Sequence, residues 1–137
     1  SIGHYTHEKN ALCSAAALAE IEFIEKNNLC EHAARLGRHA IGRLNDMKAR
    51  YPLIGNIAGV GLHIGIDLVK NPDTRERAVD EAEIIMYKCM ERGLAFKLIE
   101  GNVITLRPAL VITREEMDRA LDILDKTIAE VVQEAKY

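Results

Sequence analysis

Apolar residues recur at the spacing of an α-helix in four stretches of the chain. Three of them cover about 11–27, 31–51 and 74–92, and a fourth follows Thr113 and runs to about Ala135. The first has apolar residues around most of its circumference, which predicts burial on several sides. Two capping-box patterns predict where the last two helices begin, namely Asp73 with Glu76 and Thr113 with Glu116.

The pattern between these helices is that of short β-strands. Four glycines fall between positions 55 and 65, and a helix interior would not hold so many, because each costs about 1 kcal/mol relative to alanine. We therefore predict strands at about 54–60, 62–69, 95–99 and 103–106. The turn Glu100-Gly101-Asn102 is compatible with a hairpin between the last two. This order of elements predicts an α+β fold, a small, mostly antiparallel sheet covered by helices on one side.

Composition restricts the classes of function. The 137 residues suffice for a single domain, 1–137. The net charge of −3 gives no electrostatic footprint for nucleic acid, and no apolar run approaches the ~18 residues that a membrane helix needs. Three widely spaced cysteines argue against a disulfide framework, so we expect a reducing compartment, the cytoplasm. The chain opens at Ser1 without a methionine, and we expect a processed chain or the last piece of a longer protein.

Two motifs that suggest cofactor or metal chemistry are incomplete. The run from Gly59 to Gly65 is one residue longer than a dinucleotide fingerprint and leads into a strand-like segment, whereas phosphate binding needs a helix N-terminus. His4, His7 and Glu8 lie close in sequence, but no second ligand motif completes a metal site. We predict glycine-rich strand connections and no metal.

Two other segments could bind an anion. Arg107 follows a strand and precedes Pro108, so its guanidinium is well placed to hold a carboxylate or phosphate in a bidentate manner. Pairing with a neighbouring glutamate is the alternative. The polar segment before the first helix carries a hydroxyl at Thr6 and could bind an anion together with backbone N–H groups. A plain loop with a helix cap is the alternative there.

Taken together, the motifs resemble the C-terminal part of the class III pyridoxal-phosphate-dependent aminotransferases. The resemblance rests on the order and spacing of short motifs along essentially the whole chain. These are Thr6-His7-Glu8-Lys9-Asn10, Leu36-Gly37, Pro52-Leu53-Ile54-Gly55, Gly59-Val60-Gly61-Leu62, Gly65-Ile66-Asp67-Leu68, Gly101-Asn102-Val103 and Pro108-Ala109-Leu110-Val111-Ile112-Thr113.

The resemblance implies the small C-terminal domain of a fold type I enzyme that uses pyridoxal 5'-phosphate and acts as a homodimer. Such an enzyme moves an amino group from a small-molecule donor to a 2-oxo acid. The family's Schiff-base lysine lies upstream of this chain, so no catalytic residue is assigned here. Thr6 matches the threonine that binds the cofactor phosphate of the neighbouring subunit, and Tyr5 lies beside it. By analogy, residues 1–28 form a leading loop and an interdomain helix, and 29–137 form the small domain.

The sequence departs from the family pattern at the substrate. The family's Val-Arg-Gly arginine is Ala58 here, and the second proline of its Pro-Pro-Leu motif is Ala109. The arginine that binds the substrate carboxylate lies three residues before the first proline of that motif, where this chain has Thr105. Arg107 lies two residues on, and residues two apart in a strand share a face. Arg107 and Thr105 are therefore the candidate substrate-binding residues.

Two kinds of alternative stay open. A decarboxylase, racemase or aminomutase of the same family would keep the cofactor and change the outcome of the reaction. A non-enzymatic α+β ligand-binding or regulatory domain would belong to a different class. In either enzyme case we expect the chain alone to be inactive, because the lysine and the ring-binding residues would lie outside it.

Overall fold

The structure, a computed structural model, describes residues 10–135 of the chain. The elements, in chain order, are α1 (Ala11–Lys26), α2 (Leu29–Arg50), β1 (Ile54–Val60), β2 (His63–Leu68), α3 (Val79–Glu91), β3 (Lys97–Ile99), β4 (Val103–Leu106) and α4 (Arg114–Ala135). The predicted α+β class is confirmed, and the predicted strands at 54–60 and 103–106 have these bounds in the structure.

The strands form one sheet in the order β1-β2-β4-β3, and each neighbouring pair is antiparallel. The hairpin between β3 and β4 is confirmed, with positive φ angles at Glu100 (53°) and Gly101 (81°). Residues with positive φ give a tight hairpin the twist that its strands require. β3 forms one edge of the sheet, and β4 lies between β3 and β2. Residues of β2 and β4 that are far apart in the sequence are therefore neighbours in the sheet.

One face of the sheet is buried by α2, α3 and α4. Alternate residues of β2 and β4 point into this core, in keeping with the two-residue period of a strand. Fully buried side chains from the sheet and from the three helices form a single cluster, which includes Ile64, Ile66, Ile104, Leu44, Ile85 and Leu124. The prediction that helices cover one side is therefore confirmed for the described residues.

The first helix differs from its prediction. No residue of α1 is buried, and its large apolar side chains are exposed, Leu12 to 78% and Phe23 to 52%. Among residues 10–135, α1 packs weakly against α2 and is joined to it by a turn at Asn28, whose φ is 51°. The predicted burial on several sides is therefore wrong for this chain, because no element within the described range covers the helix.

The third helix begins later than the sequence predicts, at Val79 instead of about 74. The side chain of Asn71 accepts hydrogen bonds from the amides of Asp73 and Thr74, so an Asx turn replaces the predicted Asp73–Glu76 capping box. Arg75 then takes a positive φ of 56°, which a helix cannot contain. The segment instead returns to the end of β2, where the amide of Lys70 donates to the carbonyl of Glu76.

Candidate functional site

The sheet face opposite the helices carries small residues across three strands. The register pairs Ala58 with Gly65, Gly65 with Thr105, and Thr105 with Lys97. Directly paired residues project to the same side of a sheet, so these four positions form one row across what we call the outer face. The row combines three small residues with one exposed lysine at its end. Ala58 and Thr105, the two positions that the resemblance aligns with arginines, therefore lie in the same row.

Arg107 lies on the same face, one row further along. Ile64 pairs with Leu106, so His63 at the start of β2 stands opposite Arg107 just after β4. The Nε of Arg107 donates a hydrogen bond to Nε2 of His63 across 3.0 Å. This contact makes His63 an acceptor at Nε2, which puts the proton of the neutral ring on Nδ1.

The partner of Arg107 bears on the two alternatives that the sequence left open. Arg107 is exposed, and among residues 10–135 no carboxylate lies within ion-pair distance of it. Other arginines of the described residues do pair with acids, for example Arg50 with Asp125 at 2.8 Å and Arg92 with Glu130 at 2.6 Å. Arg107 therefore does not brace the domain against a described acidic side chain, and its two terminal nitrogens remain available.

Thr105 is neutral and largely enclosed. Its side chain is on the outer face with 6% of the residue exposed, and its hydroxyl donates to the carbonyl of Lys97 across 2.7 Å. The hydroxyl proton is therefore committed to the β3–β4 pair, and only the oxygen lone pairs can meet a ligand. Position 105, which the family resemblance aligns with a cation, thus provides a hydrogen-bond acceptor in this chain.

Arg107 and Pro108 line two neighbouring clefts. The strand β3 is shorter than predicted, because residues 95 and 96 are outside the pairing with β4 and leave a cleft of about 350 Å³. That cleft is bounded by Phe96, Lys97, Thr105, Arg107, Met117 and Ala120, among others. A second cleft of about 330 Å³ lies on the side of His63, Val60 and Ala33. No acidic residue within 10–135 lines either cleft.

A side chain of α2 holds the loop that follows Arg107. The Nε2 of His32 lies 2.8 Å from the carbonyl oxygen of Ile112 and donates to it, and Arg35 donates to Nδ1 of the same ring at 3.3 Å. Pro108 restricts the backbone at the other end of the loop. The segment that carries Arg107 is therefore anchored on both sides, which limits how far its guanidinium can move.

The carboxylate of Asp67, on the outer face, is engaged by two neighbouring side chains. Asp67 pairs with Val103 and Asn56 in the next row. One of its carboxylate oxygens accepts from Arg75 at 2.6 Å and the other from Asn102 at 2.7 Å. Asn102 is 2% exposed and also donates to the carbonyl of Leu68 at 2.8 Å. Its side-chain amide therefore joins the β3–β4 turn to β2.

Sequence reasoning missed two of these residues. It assigned no partner to His63, because the contact with Arg107 spans 44 positions and depends on β2 and β4 being neighbours. It assigned no role to Asn102 beyond the turn. Both contacts could be predicted only from the order of the strands in the sheet, and the periodicity of the sequence does not reveal that order.

The predicted cofactor-binding residues, Thr6 and Tyr5, lie outside the described residues. So do His4, His7 and Glu8. Within residues 10–135, no group of three His, Cys, Asp or Glu side chains is arranged to hold a metal ion. None of the described helices is both long and apolar enough to cross a membrane. The thiols of Cys13, Cys30 and Cys89 are free.

Comparisons with known proteins agree with the fold and the motifs. The model of the family described as aminotransferase class-III matches residues 3–128. The chain is 46% identical over its full length to an (R)-1-hydroxy-2-aminoethylphosphonate ammonia-lyase from Vibrio splendidus. It is 45% identical over 95% of its length to a leucine/methionine racemase from Thermococcus litoralis. A PLP-bound amine transaminase from an uncultivated Pseudomonas species superposes over 94% of the chain, with a TM-score of 0.86 and 30% identity.

The chain covers only part of each of these proteins. It spans 29% of the ammonia-lyase, 30% of the racemase and 30% of the transaminase. The three proteins carry out different reactions, so the similarity supports a common fold and family but not one particular outcome of the chemistry.

Proposed function

This chain belongs to the class III aminotransferase family, and we propose that it forms the C-terminal part of a pyridoxal-phosphate-dependent enzyme in which Arg107 binds the acidic group of the substrate. The reaction we propose is transfer of an amino group from a small amine or amino acid to a 2-oxo acid. Bound pyridoxal phosphate would withdraw electrons from the carbon that carries the amino group. The contribution of this chain is to bind and orient the substrate.

The described residues fit a part that completes a cofactor site without containing all of it. The side chain of Asn10 accepts from the amides of Leu12 and Cys13, so it already uses two of the free N–H groups at the start of α1. The lysines within 10–135 are exposed or partly exposed, and none has the enclosed surroundings of a Schiff-base lysine. We therefore propose that Thr6, with Tyr5 beside it, contacts the cofactor phosphate from residues 1–9, and that the lysine belongs to another part of the enzyme.

A single observation supports the role of Arg107. Its guanidinium is held by His63 and has no acidic partner among residues 10–135, in a row next to the one where the family has its carboxylate-binding arginine. A charge-assisted, bidentate contact with an oxyanion is the interaction for which a guanidinium is best suited. Thr105, one row away, would accept a hydrogen bond from the same substrate.

Elimination of ammonia is a second candidate. It is favoured by the 46% identity to a protein named as an ammonia-lyase, over the whole length of the chain. Racemisation follows in the same way from the 45% identity to a leucine/methionine racemase. All three outcomes begin at the same carbon, and residues outside this chain would decide among them.

The products formed by the full-length protein distinguish these reactions. The holoenzyme is incubated with pyruvate and, in turn, with L-leucine, β-alanine, 2-aminoethylphosphonate and (R)-1-hydroxy-2-aminoethylphosphonate. The last amine carries a hydroxyl group next to its amino-bearing carbon, which can leave as water before hydrolysis releases ammonia. Amino transfer predicts alanine in an amount equal to the amine consumed. Release of ammonia without alanine, or loss of optical activity without either, would replace amino transfer by elimination or racemisation. No reaction at an amino-bearing carbon, with the cofactor bound, would contradict the proposal as a whole.

We further propose that residues 1–28 are a leading loop and an interdomain helix, and that residues 29–137 are the small domain. The exposed apolar side chains of α1 support this division, since another part of the enzyme or a second subunit would cover them. A homodimer in the cytoplasm, and an inactive chain when it is alone, complete the proposal.

A further inference from the structure

Three basic side chains surround the small residues of the outer face. His63, Lys97 and Arg107, which we call the cation rim, are all exposed. Lys97 and Arg107 line the cleft of about 350 Å³, and His63 and Arg107 line the neighbouring one. Thr105 also lines the first cleft, and Gly65 is its partner in the neighbouring strand. The cation rim therefore places a basic side chain on each of the two clefts that meet at Arg107.

The positive charge of the rim is not cancelled by the acid that shares its face. Both oxygens of Asp67 are engaged, by Arg75 at 2.6 Å and by Asn102 at 2.7 Å. No acidic residue within 10–135 lines either cleft. An anion that approaches the cation rim therefore meets the side chains of Lys97 and Arg107 without a competing carboxylate from the described residues that line the clefts.

The contact with His63 determines how Arg107 can bind an anion. A guanidinium can present one edge formed by Nε and a terminal nitrogen, or its end formed by both terminal nitrogens. Because Nε donates to His63 at 3.0 Å, the end remains for a ligand. The contact with His63 therefore leaves the two terminal nitrogens of Arg107 without a hydrogen-bond partner among the described residues.

The number of donors distinguishes two kinds of anion. A carboxylate has two oxygens and one charge, and the end of Arg107 would satisfy both oxygens and leave Lys97 unpaired. A phosphate monoester has three terminal oxygens and a charge between −1.5 and −2 at about neutral pH. A phosphonate has the same three oxygens and reaches the second charge at somewhat higher pH. Two of its oxygens would meet Arg107 and the third Lys97, so both cations would be neutralised.

We propose that the cation rim binds the acidic group of the substrate as a doubly charged tetrahedral oxyanion, with His63 positioning Arg107 for that contact. The proposal rests on the function proposed above, in which Arg107 binds the acidic group. It adds the chemical class of that group and two residues, Lys97 and His63, which the family resemblance does not assign.

Binding of small anions to the full-length holoenzyme tests this proposal, because it does not depend on turnover. Titration calorimetry at about pH 8 and low salt is carried out with methylphosphonate, methyl phosphate, inorganic phosphate and acetate. We expect the tetrahedral anions to bind at least about tenfold more tightly than acetate, since one additional charge-assisted hydrogen bond changes affinity by about 10- to 150-fold. The three tetrahedral probes separate a phosphonate, a monoester and the free ion as the preferred source.

Variants assign the binding to the cation rim. We expect Lys97→Met to reduce methylphosphonate affinity by about tenfold or more and to leave acetate binding unchanged. Arg107→Ala should abolish both. His63→Ala should weaken both anions, and His63→Gln should restore binding, because its side-chain carbonyl can accept from Nε of Arg107. Lys126→Met is the matched control, since Lys126 is an exposed lysine of α4, outside both clefts.

Two outcomes would overturn the proposal. Equal affinity of the wild type for acetate and for the tetrahedral anions would remove the preference, and equal loss of both anions in Lys97→Met would remove the role of Lys97. The product assay described above is run on the same preparation. A holoenzyme that transfers amino groups but shows either outcome would contradict this inference and leave the proposed function intact.

Discussion

Gly37 offers a sharp test of how α2 packs against the sheet. A Cβ atom at this position would lie 2.0 Å from the carbonyl oxygen of Gly61 and 2.5 Å from its carbonyl carbon. Both atoms belong to the backbone, so no side chain can rotate to make room. Gly61 itself has a φ of 56° in the β1–β2 turn, directly before Leu62 and His63. We predict that Gly37→Ala destabilises the chain although alanine favours a helix.

Gly42 in the same helix provides the matched control. No atom lies within 4 Å of a Cβ placed there, and the residue is exposed. Gly42→Ala should therefore stabilise the chain by about 1 kcal/mol, the difference in helix propensity between the two residues. The same gain applies at Gly37, so the difference between the two variants measures the steric conflict alone. Overpacking of this kind costs about 1–3 kcal/mol, and we expect the upper part of that range.

Urea unfolding of the 137-residue chain, followed by far-ultraviolet circular dichroism, gives the free energy of unfolding of the wild type and both variants. If the slope of the unfolding free energy against urea concentration is the same for all three proteins, the variants differ in stability and not in the surface exposed on unfolding. If Gly37→Ala proved as stable as Gly42→Ala, α2 would not press against the β1–β2 turn, and the close approach of Gly37 to Gly61 would be wrong.

Three further predictions address the cofactor and the dependence on pH. Thr6→Ala in the full-length protein should weaken binding of pyridoxal phosphate by about 10- to 150-fold, since a hydrogen bond to a charged oxygen contributes about 1.5–3 kcal/mol; an unchanged dissociation constant would exclude the contact. The chain alone, treated with pyridoxal phosphate and borohydride, should show no stoichiometric adduct on one lysine by peptide mass mapping, and such an adduct would place the reactive lysine here. Hydrogen bonds from the backbone amide of Thr113 and, to a smaller extent, from its hydroxyl lower the pKa of Glu116 below its ordinary value of 4.5. The stability that this carboxylate gives α4 is therefore present above that value and is lost as the pH falls below it. Glu116→Gln should therefore flatten the dependence of the unfolding free energy on pH between about 5 and 3, and a variant as acid-sensitive as the wild type would contradict this.

Local sequence signals predicted the elements well where no competing partner was near. Thr113 and Glu116 form the expected capping box, with the amide of Thr113 donating to Glu116 at 2.8 Å and the amide of Glu116 to the hydroxyl of Thr113 at 3.2 Å. The same pattern at Asp73 and Glu76 failed, because Asn71 lies two residues earlier and its side chain takes the amides first. The two capping patterns thus differ in outcome because only that of Asp73 and Glu76 is preceded by a competing acceptor.

The arrangement around Arg107 could be predicted only in part. The face that it shares with Thr105 follows from the two-residue period of a strand. Its contact with His63 does not, because nothing local says that β4 lies between β2 and β3. The close approach of Gly37 to Gly61 is also non-local, and a helical glycine in a sequence carries no sign of the partner that requires it.

The kinetics of Arg107→Ala in the full-length holoenzyme test the central claim most directly. Two amines of the same length are compared, one with an acidic group and one without it. If Arg107 binds the acidic group, kcat/KM for the acidic amine should fall by about 30- to 900-fold, which corresponds to about 2–4 kcal/mol for the lost charge pairing and an unpaired anion. The amine without the acid should react nearly as well as with the wild type. An equal loss for both amines would show that Arg107 only supports the structure, and the substrate role would be wrong.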